Sequence, residues 1–186
     1  MTNSNVFIGI GGNLPSARFG PPLSVLTAAV DALGPAGITV ARRSRWYRSA
    51  PLPPSDQPAF VNGVVAVTTA LDSSAALAAL HAIEASFGRV RGEVNAARIL
   101  DLDLLAWGQR VVQGARGLWL PHPRMHLRAF VLVPMADIAA GWRHPLLGQS
   151  VQELLRALPP GQLVEPLAEE DGKSLLRSLS GADRTP

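Results

Sequence analysis

The segment Arg98-Ile99-Leu100-Asp101-Leu102-Asp103-Leu104-Leu105 places two carboxylates two positions apart in an aliphatic run. The apolar residues predict a buried strand. Side chains at positions i and i+2 of a strand point to the same face, so Asp101 and Asp103 should emerge side by side. Adjacent anions repel each other and are costly to remove from water. A positive group should therefore accompany them.

Two interpretations of this acidic pair are open. Mg²⁺ is a hard cation that binds through one or two carboxylates together with substrate phosphates, which would indicate a magnesium-dependent reaction on a phosphate ester or nucleotide. Alternation of acidic and aliphatic residues is equally typical of a strand with one face in water. The segment alone does not decide between them, so the surrounding sequence has to.

Outward from this strand, the hydrophobic periodicity predicts the element order β-α-β-β-α-β, which is that of the split βαβ motif. We predict an α+β fold with a ferredoxin-like βαββαβ core, that is, a mostly antiparallel sheet with helices packed on it, followed by an α-rich C-terminal part. The predicted strands span 6–10, 38–48, 60–69 and 98–105, a short return strand lies near 111–112, and the predicted helices span 23–33, 72–87, 130–140 and 151–157.

Length and composition limit the class of protein. A chain of 186 residues suits one domain, which we place at 1–165, followed by a polar tail at 166–186 for which we expect disorder. The absence of cysteine excludes disulfides, iron–sulfur clusters and thiol catalysis. Because we find no signal-peptide pattern and no apolar run long enough to cross a bilayer, we expect a cytoplasmic location and no membrane partner. We separately expect a monomer.

The positive charge of the chain is almost entirely arginine, since Lys173 is the only lysine, and the formal net charge is +3. Arginine presents a planar fork to phosphates and carboxylates. Many of the arginines fall in the middle of the chain, between positions 42 and 128, and such a concentration suits a polyanionic ligand. Genome composition would explain the arginine-to-lysine ratio, but it does not explain the clustering.

Two basic motifs flank the acidic strand. Upstream, residues 88–98 carry three arginines with glycine between them, which suits a loop that closes over a polyphosphate or an ordinary solvated connection. Downstream, the segment from Pro121-His122-Pro123-Arg124 to Phe130 holds two histidines and two arginines, in a pattern suited either to phosphate or sugar contacts or to a solvated turn. Glu84, on the last turn of the second predicted helix, is typical of an exposed helix face.

An aromatic residue and an amide share one face of a predicted strand, because Phe60 and Asn62 are two positions apart. A ring that stacks and an amide that reads donors and acceptors can together hold a flat heterocycle. Placement of Phe60 in the core and of Asn62 as the cap of a strand end is an equally valid interpretation of these two residues alone.

Taken together, the motifs resemble those of the 6-hydroxymethyl-7,8-dihydropterin pyrophosphokinase family, whose members transfer pyrophosphate from ATP to a pterin alcohol. The resemblance runs from about Phe7 to Pro134 and depends on motif order and spacing. The motifs are Gly11-Gly12-Asn13-Leu14, Tyr47-Arg48-Ser49-Ala50-Pro51, Asp56-Gln57-Pro58 through Asn62, Gly88-Arg89-Val90-Arg91, Arg98 through Leu105, and Pro121-His122-Pro123-Arg124 through Phe130.

The resemblance implies a ferredoxin-like fold and a role for each matching residue. It implies two Mg²⁺ ions on Asp101 and Asp103, bound together with ATP, and a reduced pterin as the second substrate. The implied catalytic residues are Arg89, Arg98, Asp101 and Asp103, the implied ATP contacts are Glu84, Arg91, His122 and Arg128, and the implied pterin pocket comprises Gly11, Gly12, Asn13, Ser49, Ala50, Leu52, Phe60, Asn62 and Phe130.

The chain departs from the family pattern at three places. Many members have Trp-Gly-Pro-Arg before the acidic strand, where this chain has Asn95-Ala96-Ala97-Arg98. A tyrosine common in the pterin pocket is Phe60 here, which keeps the ring and loses a hydroxyl. The tail beyond about Glu165 has no counterpart in the pattern.

Two other classes of function compete with a pyrophosphokinase. Ferredoxin-like sheets with a basic face also bind RNA, but the aromatic pattern expected on the central strands is absent from the sequence, and we expect no nucleic-acid partner. A phosphohydrolase that uses Asp101 and Asp103 would release inorganic phosphate and would need no pterin. The products formed from ATP separate these classes.

Overall fold

A six-stranded antiparallel sheet with helices on both faces forms the fold, which a computed structural model describes for residues 6–89, 97–115 and 117–168. The strand order is β5-β1-β4-β3-β8, and β2 also pairs with β4; β6 and β7 form a separate hairpin. The elements are β1 (Val6–Gly12), α1 (Pro22–Leu33), β2 (Ile38–Arg43), β3 (Tyr47–Ser49), β4 (Phe60–Thr69), α2 (Ser73–Ser86), β5 (Asp101–Trp107), β6 (Val112–Ala115), β7 (Leu118–Leu120), a 3₁₀ turn (Met125–Leu127), α3 (Ala129–Ala139), α4 (Val151–Ala157) and β8 (Val164–Pro166).

The two faces of the sheet bury separate hydrophobic clusters, because alternate side chains of each strand point to opposite faces. Ile8 and Ile10 of β1 pack with α1 and α2, whereas Phe7 packs with α3 and α4. The helices predicted from periodicity are confirmed, and Asp72 caps α2 by accepting hydrogen bonds from the backbone N–H groups of Ser74 and Ala75. None of the helices in the described residues is both long and apolar enough to cross a membrane.

The single strand predicted over 38–48 is instead two strands, β2 and β3. The interruption has a packing reason: the ring of Trp46 crosses Gly63 of β4 so closely that a Cβ at Gly63 would lie 2.7 Å from it. The Ser44 hydroxyl then takes the place of a strand partner, since it accepts a hydrogen bond from the backbone N–H of Val64 at 3.0 Å. The strand is interrupted at residues 44–46, and the chain then continues along β4, with Arg43 opposite Val65 and Tyr47 opposite Asn62.

Strand β8 is an element that the sequence pattern did not predict. It pairs antiparallel with β3 and lies at the edge of the sheet, across the domain boundary expected at residue 165. The disorder expected for the tail concerns mainly residues 169–186, which lie outside the described residues, so that expectation stays a prediction.

Candidate active site

A cleft of about 740 Å³ opens along the row of strands that carries the predicted site residues. Its walls come from β1, β3, β4, α2, β5, β7 and the start of α3. Residues predicted from the sequence supply much of the lining: Gly11, Ser49, Ala50, Leu52, Phe60, Asn62, Glu84, Arg89, Arg98, Asp101, Asp103, His122, Arg128 and Phe130.

The acidic pair lies on one face of β5 and lines the cleft, whereas Leu102 and Leu104 are buried on the opposite face. In the pairing of β5 with β1, Asp101 is opposite Gly11 and Asp103 is opposite Gly9. Residues directly opposite in an antiparallel pair share a face, and glycine has no side chain to cover its partner. An added Cβ would lie 3.4 Å from the Leu105 side chain at Gly9 and 3.0 Å from Asn62 Oδ1 at Gly11, so these glycines leave room for Leu105 and Asn62 beside the acidic pair.

Arginines supply the positive charge that the acidic pair requires. Asp101 accepts from Arg89 Nη1 through Oδ1 at 2.6 Å and from Arg98 Nη1 through Oδ2 at 2.8 Å. Burial, followed by the neighbouring Asp101 carboxylate, raises the pKa of Asp103 to about 6, and the positive charge of Arg128 opposes this rise. The site thus concentrates carboxylates and guanidinium groups in one half-buried cleft.

Glu84 is buried, with 3% of its surface exposed, so the expectation of an exposed helix face is wrong. It reaches from α2 to the edge strand β5, where its Oε1 accepts a hydrogen bond from the backbone N–H of Leu102 at 2.7 Å and contacts the Arg89 guanidinium. Burial raises the pKa of the Glu84 carboxyl, against the lowering effect of the Leu102 hydrogen bond. Because β5 has no strand on that side, Glu84 satisfies an edge N–H that would otherwise be unpaired.

A second wall of the cleft joins β3 and β4. Asn62 donates a hydrogen bond from Nδ2 to Ser49 Oγ at 2.9 Å, and Phe60 is the strand partner of Ser49. Phe130, at the start of α3, also lines the cleft, and the guanidinium carbon of Arg128 lies 5.3 Å from the centre of its ring. Two aromatic rings, an amide and a hydroxyl therefore face one space, which suits a flat polar heterocycle.

His122 is held in one orientation by its own backbone and its neighbour. The backbone N–H of His122 donates to the Leu105 carbonyl at 2.7 Å, and the ring Nδ1 of His122 accepts from the backbone N–H of Arg124 at 3.2 Å. Burial, then the charges of Arg128 and Arg124, lower the pKa of His122 to about 4. At neutral pH the ring is uncharged and carries its proton on Nε2, so it can donate one hydrogen bond to a ligand.

Gly12 and Asn13 lie behind the cleft and are not part of its lining. Asn13 is buried and connects two walls: its Oδ1 accepts from the Arg98 backbone N–H at 2.8 Å, and its Nδ2 donates to the Pro58 carbonyl at 3.1 Å and to Gln57 Oε1 at 3.3 Å. This geometry gives Asn13 a supporting position between the pair Gln57 and Pro58 on one side and Arg98, three residues before β5, on the other.

The substitution Gly12→Ala is expected to destabilise the protein. A Cβ at Gly12 would lie 2.4 Å from the backbone carbonyl oxygen of Ile99, and relief of such a clash in a packed region costs about 1–3 kcal/mol. Gly34→Ala is the matched control, because the nearest atom to its added Cβ, the Asp31 carbonyl oxygen, is 3.9 Å away. Urea unfolding should separate the two variants, and equal midpoints would contradict the close approach of β1 to Ile99.

Some residues of the cleft were not singled out from the sequence. Trp119 of β7 lines the cleft and is half-exposed between the buried Leu118 and Leu120. Its ring packs on Gly114 of β6, where an added Cβ would lie 3.0 Å from it. The signal that could have identified Trp119 is its position as an outward-facing aromatic residue between two apolar residues. Leu77 and His81 of α2 complete this part of the lining.

Parts of the predicted site lie outside the described residues. They are Arg91 and the positions Asn95 and Ala96 of the motif that departs from the family pattern. Within residues 6–89, 97–115 and 117–168, no three or more Asp, Glu, His or Cys side chains are grouped to hold a metal. Asp101 and Asp103 nonetheless fit Mg²⁺, because this ion binds through one or two carboxylates and completes its coordination with water and substrate phosphates.

Comparison with known proteins gives a consistent family assignment. The sequence profile of the family described as 7,8-dihydro-6-hydroxymethylpterin-pyrophosphokinase (HPPK) matches residues 7–140. A 2-amino-4-hydroxy-6-hydroxymethyldihydropteridine pyrophosphokinase of Synechocystis sp. is 44% identical over 149 residues, which cover 80% of this chain and 73% of that protein. The protein of the same name from Pseudomonas aeruginosa is 43% identical over 155 residues, which cover 83% of this chain and 91% of the relative.

Solved structures agree on the fold. A triple mutant of Plasmodium falciparum HPPK-DHPS, crystallised with SDX-DHP, superposes with a TM-score of 0.65 at 13% sequence identity. The superposition covers 84% of this chain and 44% of the solved chain, so this chain corresponds to less than half of that protein. At this identity the likeness supports a shared architecture only.

Proposed function

Because this chain belongs to the 7,8-dihydro-6-hydroxymethylpterin-pyrophosphokinase family and is therefore a diphosphotransferase, we propose that it transfers pyrophosphate from ATP to the hydroxymethyl group of 6-hydroxymethyl-7,8-dihydropterin and releases AMP. The step belongs to folate biosynthesis. The observation that carries this proposal is the single cleft in which an acidic pair, several arginines and an aromatic–amide wall meet.

The proposed roles divide the cleft into a phosphate end and a heterocycle end. At the phosphate end, Asp101 and Asp103 would hold two Mg²⁺ ions that supply Lewis-acid stabilisation of phosphate charge. Phosphate and nucleotide contacts are assigned to Arg89, Arg91, Arg98, Arg128, Glu84 and His122. The pterin pocket is assigned to Gly11, Ser49, Ala50, Leu52, Phe60, Asn62 and Phe130, and Gly12 and Asn13 would support it from behind the lining.

The bond changes proposed for the reaction are those of an in-line displacement at phosphorus. The pterin hydroxymethyl oxygen attacks the β-phosphorus of ATP, the bond from that phosphorus to the α–β bridging oxygen breaks, and AMP leaves with the electron pair of that bond. The alcohol proton is released to solvent, and we assign no general base. Arg89 and Arg98 approach Asp101 closely in the structure, so both guanidinium groups are poised to neutralise charge on the group being transferred.

Positioning is the main contribution that we assign to the heterocycle end. The Asn62–Ser49 hydrogen bond orients the amide. The rings of Phe60 and Phe130, which both line the cleft, offer faces on which a pterin can stack. An oriented alcohol beside a bound triphosphate turns a bimolecular reaction into an effectively unimolecular one. Neutral His122 would donate from Nε2 to a phosphate oxygen or to the nucleotide sugar.

We also propose that the fold is a ferredoxin-like core followed by an α-rich C-terminal part. The order β5-β1-β4 with β2 and β3 beyond β4 supports a ferredoxin-like core, and α3 and α4 support an α-rich C-terminal part. A single domain over residues 1–165, a monomeric state and a cytoplasmic location stay predictions.

One assay tests the proposed reaction. Purified full-length protein is mixed with Mg²⁺, ATP and 6-hydroxymethyl-7,8-dihydropterin, and nucleotides are separated by ion-exchange chromatography. We expect AMP to form in a one-to-one ratio with pterin diphosphate and only when the pterin is present.

Other product patterns contradict the proposal. ADP or free phosphate formed without pterin would indicate the phosphohydrolase alternative, and absence of any reaction would count against transfer. A matched reaction with EDTA should abolish AMP formation if Mg²⁺ is required.

A further inference from the structure

The segment 162–167 is attached to one wall of the cleft. Its strand β8 pairs with β3, so that Val164 is opposite Ser49, and the Leu167 N–H donates to the Trp46 carbonyl at 2.9 Å. The segment lies beyond the residues 7–140 matched by the family profile. It is nevertheless tied by backbone hydrogen bonds to the strand that carries Ser49.

From this segment, Gln162 reaches the first turn of α3. Its side-chain Oε1 accepts a hydrogen bond from the Ala129 N–H at 2.9 Å, and its Nε2 donates to the Leu127 carbonyl at 3.0 Å. These two backbone groups stand on either side of Arg128. One half-buried amide, thirty-three positions away from Ala129 in the chain, therefore binds both peptide units that flank Arg128.

The start of α3 depends on this contact from a distant part of the chain. The first N–H groups of a helix have no partner within the helix, and Arg128, at the N-cap position, makes no side-chain capping bond. Arg128 has extended torsions (φ −122°, ψ 111°) between the 3₁₀ turn and α3. The backbone torsions of Arg128 set the direction in which its side chain leaves the backbone. Gln162 restrains these torsions, because it forms a hydrogen bond with the peptide group on each side of Arg128.

Arg128 is the residue at this junction that faces the cleft. Arg128 lines the cleft. Burial lowers the pKa of its guanidinium from the ordinary arginine value, and the negative charges of Asp103 and Asp101 oppose this lowering. Gln162 is not part of the cleft lining. The side-chain hydrogen bonds of Gln162 can therefore influence a ligand through the backbone around Arg128.

We propose that Gln162 is a positioning residue for the phosphate end of the cleft, because its amide fixes the backbone around Arg128 and so directs the guanidinium towards bound triphosphate. This inference rests on the proposed function, since it takes Arg128 as a phosphate ligand. The proposal extends the functional part of the chain to the segment that contains β8, the edge strand next to β3.

Affinity for an ATP analogue tests this role without depending on turnover. Gln162→Met keeps the side-chain length and removes both hydrogen bonds, and Gln162→Glu keeps the acceptor for Ala129. Gln152→Met, on the exposed face of α4, is the matched control. By calorimetry with Mg²⁺ and the non-hydrolysable analogue AMPPCP, we expect Gln162→Met to weaken binding roughly fivefold, Gln162→Glu to recover part of the loss, and Gln152→Met to bind like wild type.

A double-mutant cycle with Arg128→Ala separates positioning from a general loss of stability. If Gln162 acts through Arg128, Gln162→Met should cause no further loss of affinity in the Arg128→Ala background, while still lowering the melting temperature there. An equal loss in both backgrounds, or wild-type affinity in Gln162→Met, would overturn the proposal. A wild-type protein that binds the analogue yet forms no AMP would contradict the proposed reaction and leave this measurement valid.

Discussion

Asp101→Asn and Asp103→Asn should each lower kcat for AMP formation by about 1000-fold or more. Both carboxylates line the cleft on one face of β5, where they are proposed to hold the Mg²⁺ ions. Charge stabilisation by a bound metal is worth several kcal/mol in a transition state, and each 1.36 kcal/mol corresponds to a factor of about ten in rate. Asparagine has nearly the same size and lacks the negative charge.

The measurement is AMP formation over a wide range of Mg²⁺ concentration, since a merely weakened site would recover at high Mg²⁺. Asp31→Asn, at an exposed position of α1, is the control for the chemical change itself. Near-normal kcat in the Asp101→Asn/Asp103→Asn double variant would contradict the metal assignment.

Stability should not follow activity in the Asp103→Asn variant. Burial and the repulsion of Asp101 disfavour the charged form of Asp103, so a neutral side chain there relieves a cost that the folded state bears. We expect a melting temperature equal to or above that of wild type. This result would attribute the loss of turnover to missing function rather than to unfolding.

Glu84→Ala should impair both stability and activity. It removes the acceptor of the Leu102 N–H and the carboxylate in contact with Arg89, and a buried donor without a partner costs about 1–3 kcal/mol. Loss of the contact that orients Arg89 should lower kcat/KM by about 100-fold, a size typical of a displaced catalytic group.

Glu84→Gln separates these two roles. Glutamine keeps an oxygen that can accept from Leu102, so the urea midpoint should stay near that of wild type, but it lacks the charge that holds Arg89. We therefore expect a stable variant with reduced kcat/KM. Wild-type stability in Glu84→Ala would show that the Leu102 hydrogen bond contributes little. Wild-type activity in Glu84→Gln would show that the charge of Glu84 is not needed to orient Arg89.

The sequence was sufficient where a local pattern has a single structural meaning. The i and i+2 spacing of Asp101 and Asp103 determined that they share a face of a strand, because strand side chains alternate with a period of two. The same rule placed Phe60 and Asn62 together, and hydrophobic periodicity predicted α2 to within one residue at each end. These predictions needed no knowledge of partners elsewhere in the chain.

Partners distant in the chain were beyond the reach of such patterns. Glu84 has the local context of an exposed helix residue, yet it is buried because the edge strand β5 presents the Leu102 N–H to it. The split of the strand predicted over 38–48 likewise depends on Gly63 of β4, which meets the Trp46 ring.

By itself, the sequence determined the order of the main elements, the family and the face on which the acidic pair lies, since these follow from periodicity and from motifs that are contiguous in the chain. Only the tertiary structure decided that Glu84 is buried, that β8 pairs with β3 and that Gln162 forms hydrogen bonds with the backbone on both sides of Arg128. The physical reason is that a buried hydrogen bond forms between whichever groups folding brings together. The local spacing of residues in the sequence does not specify partners that are distant in the chain.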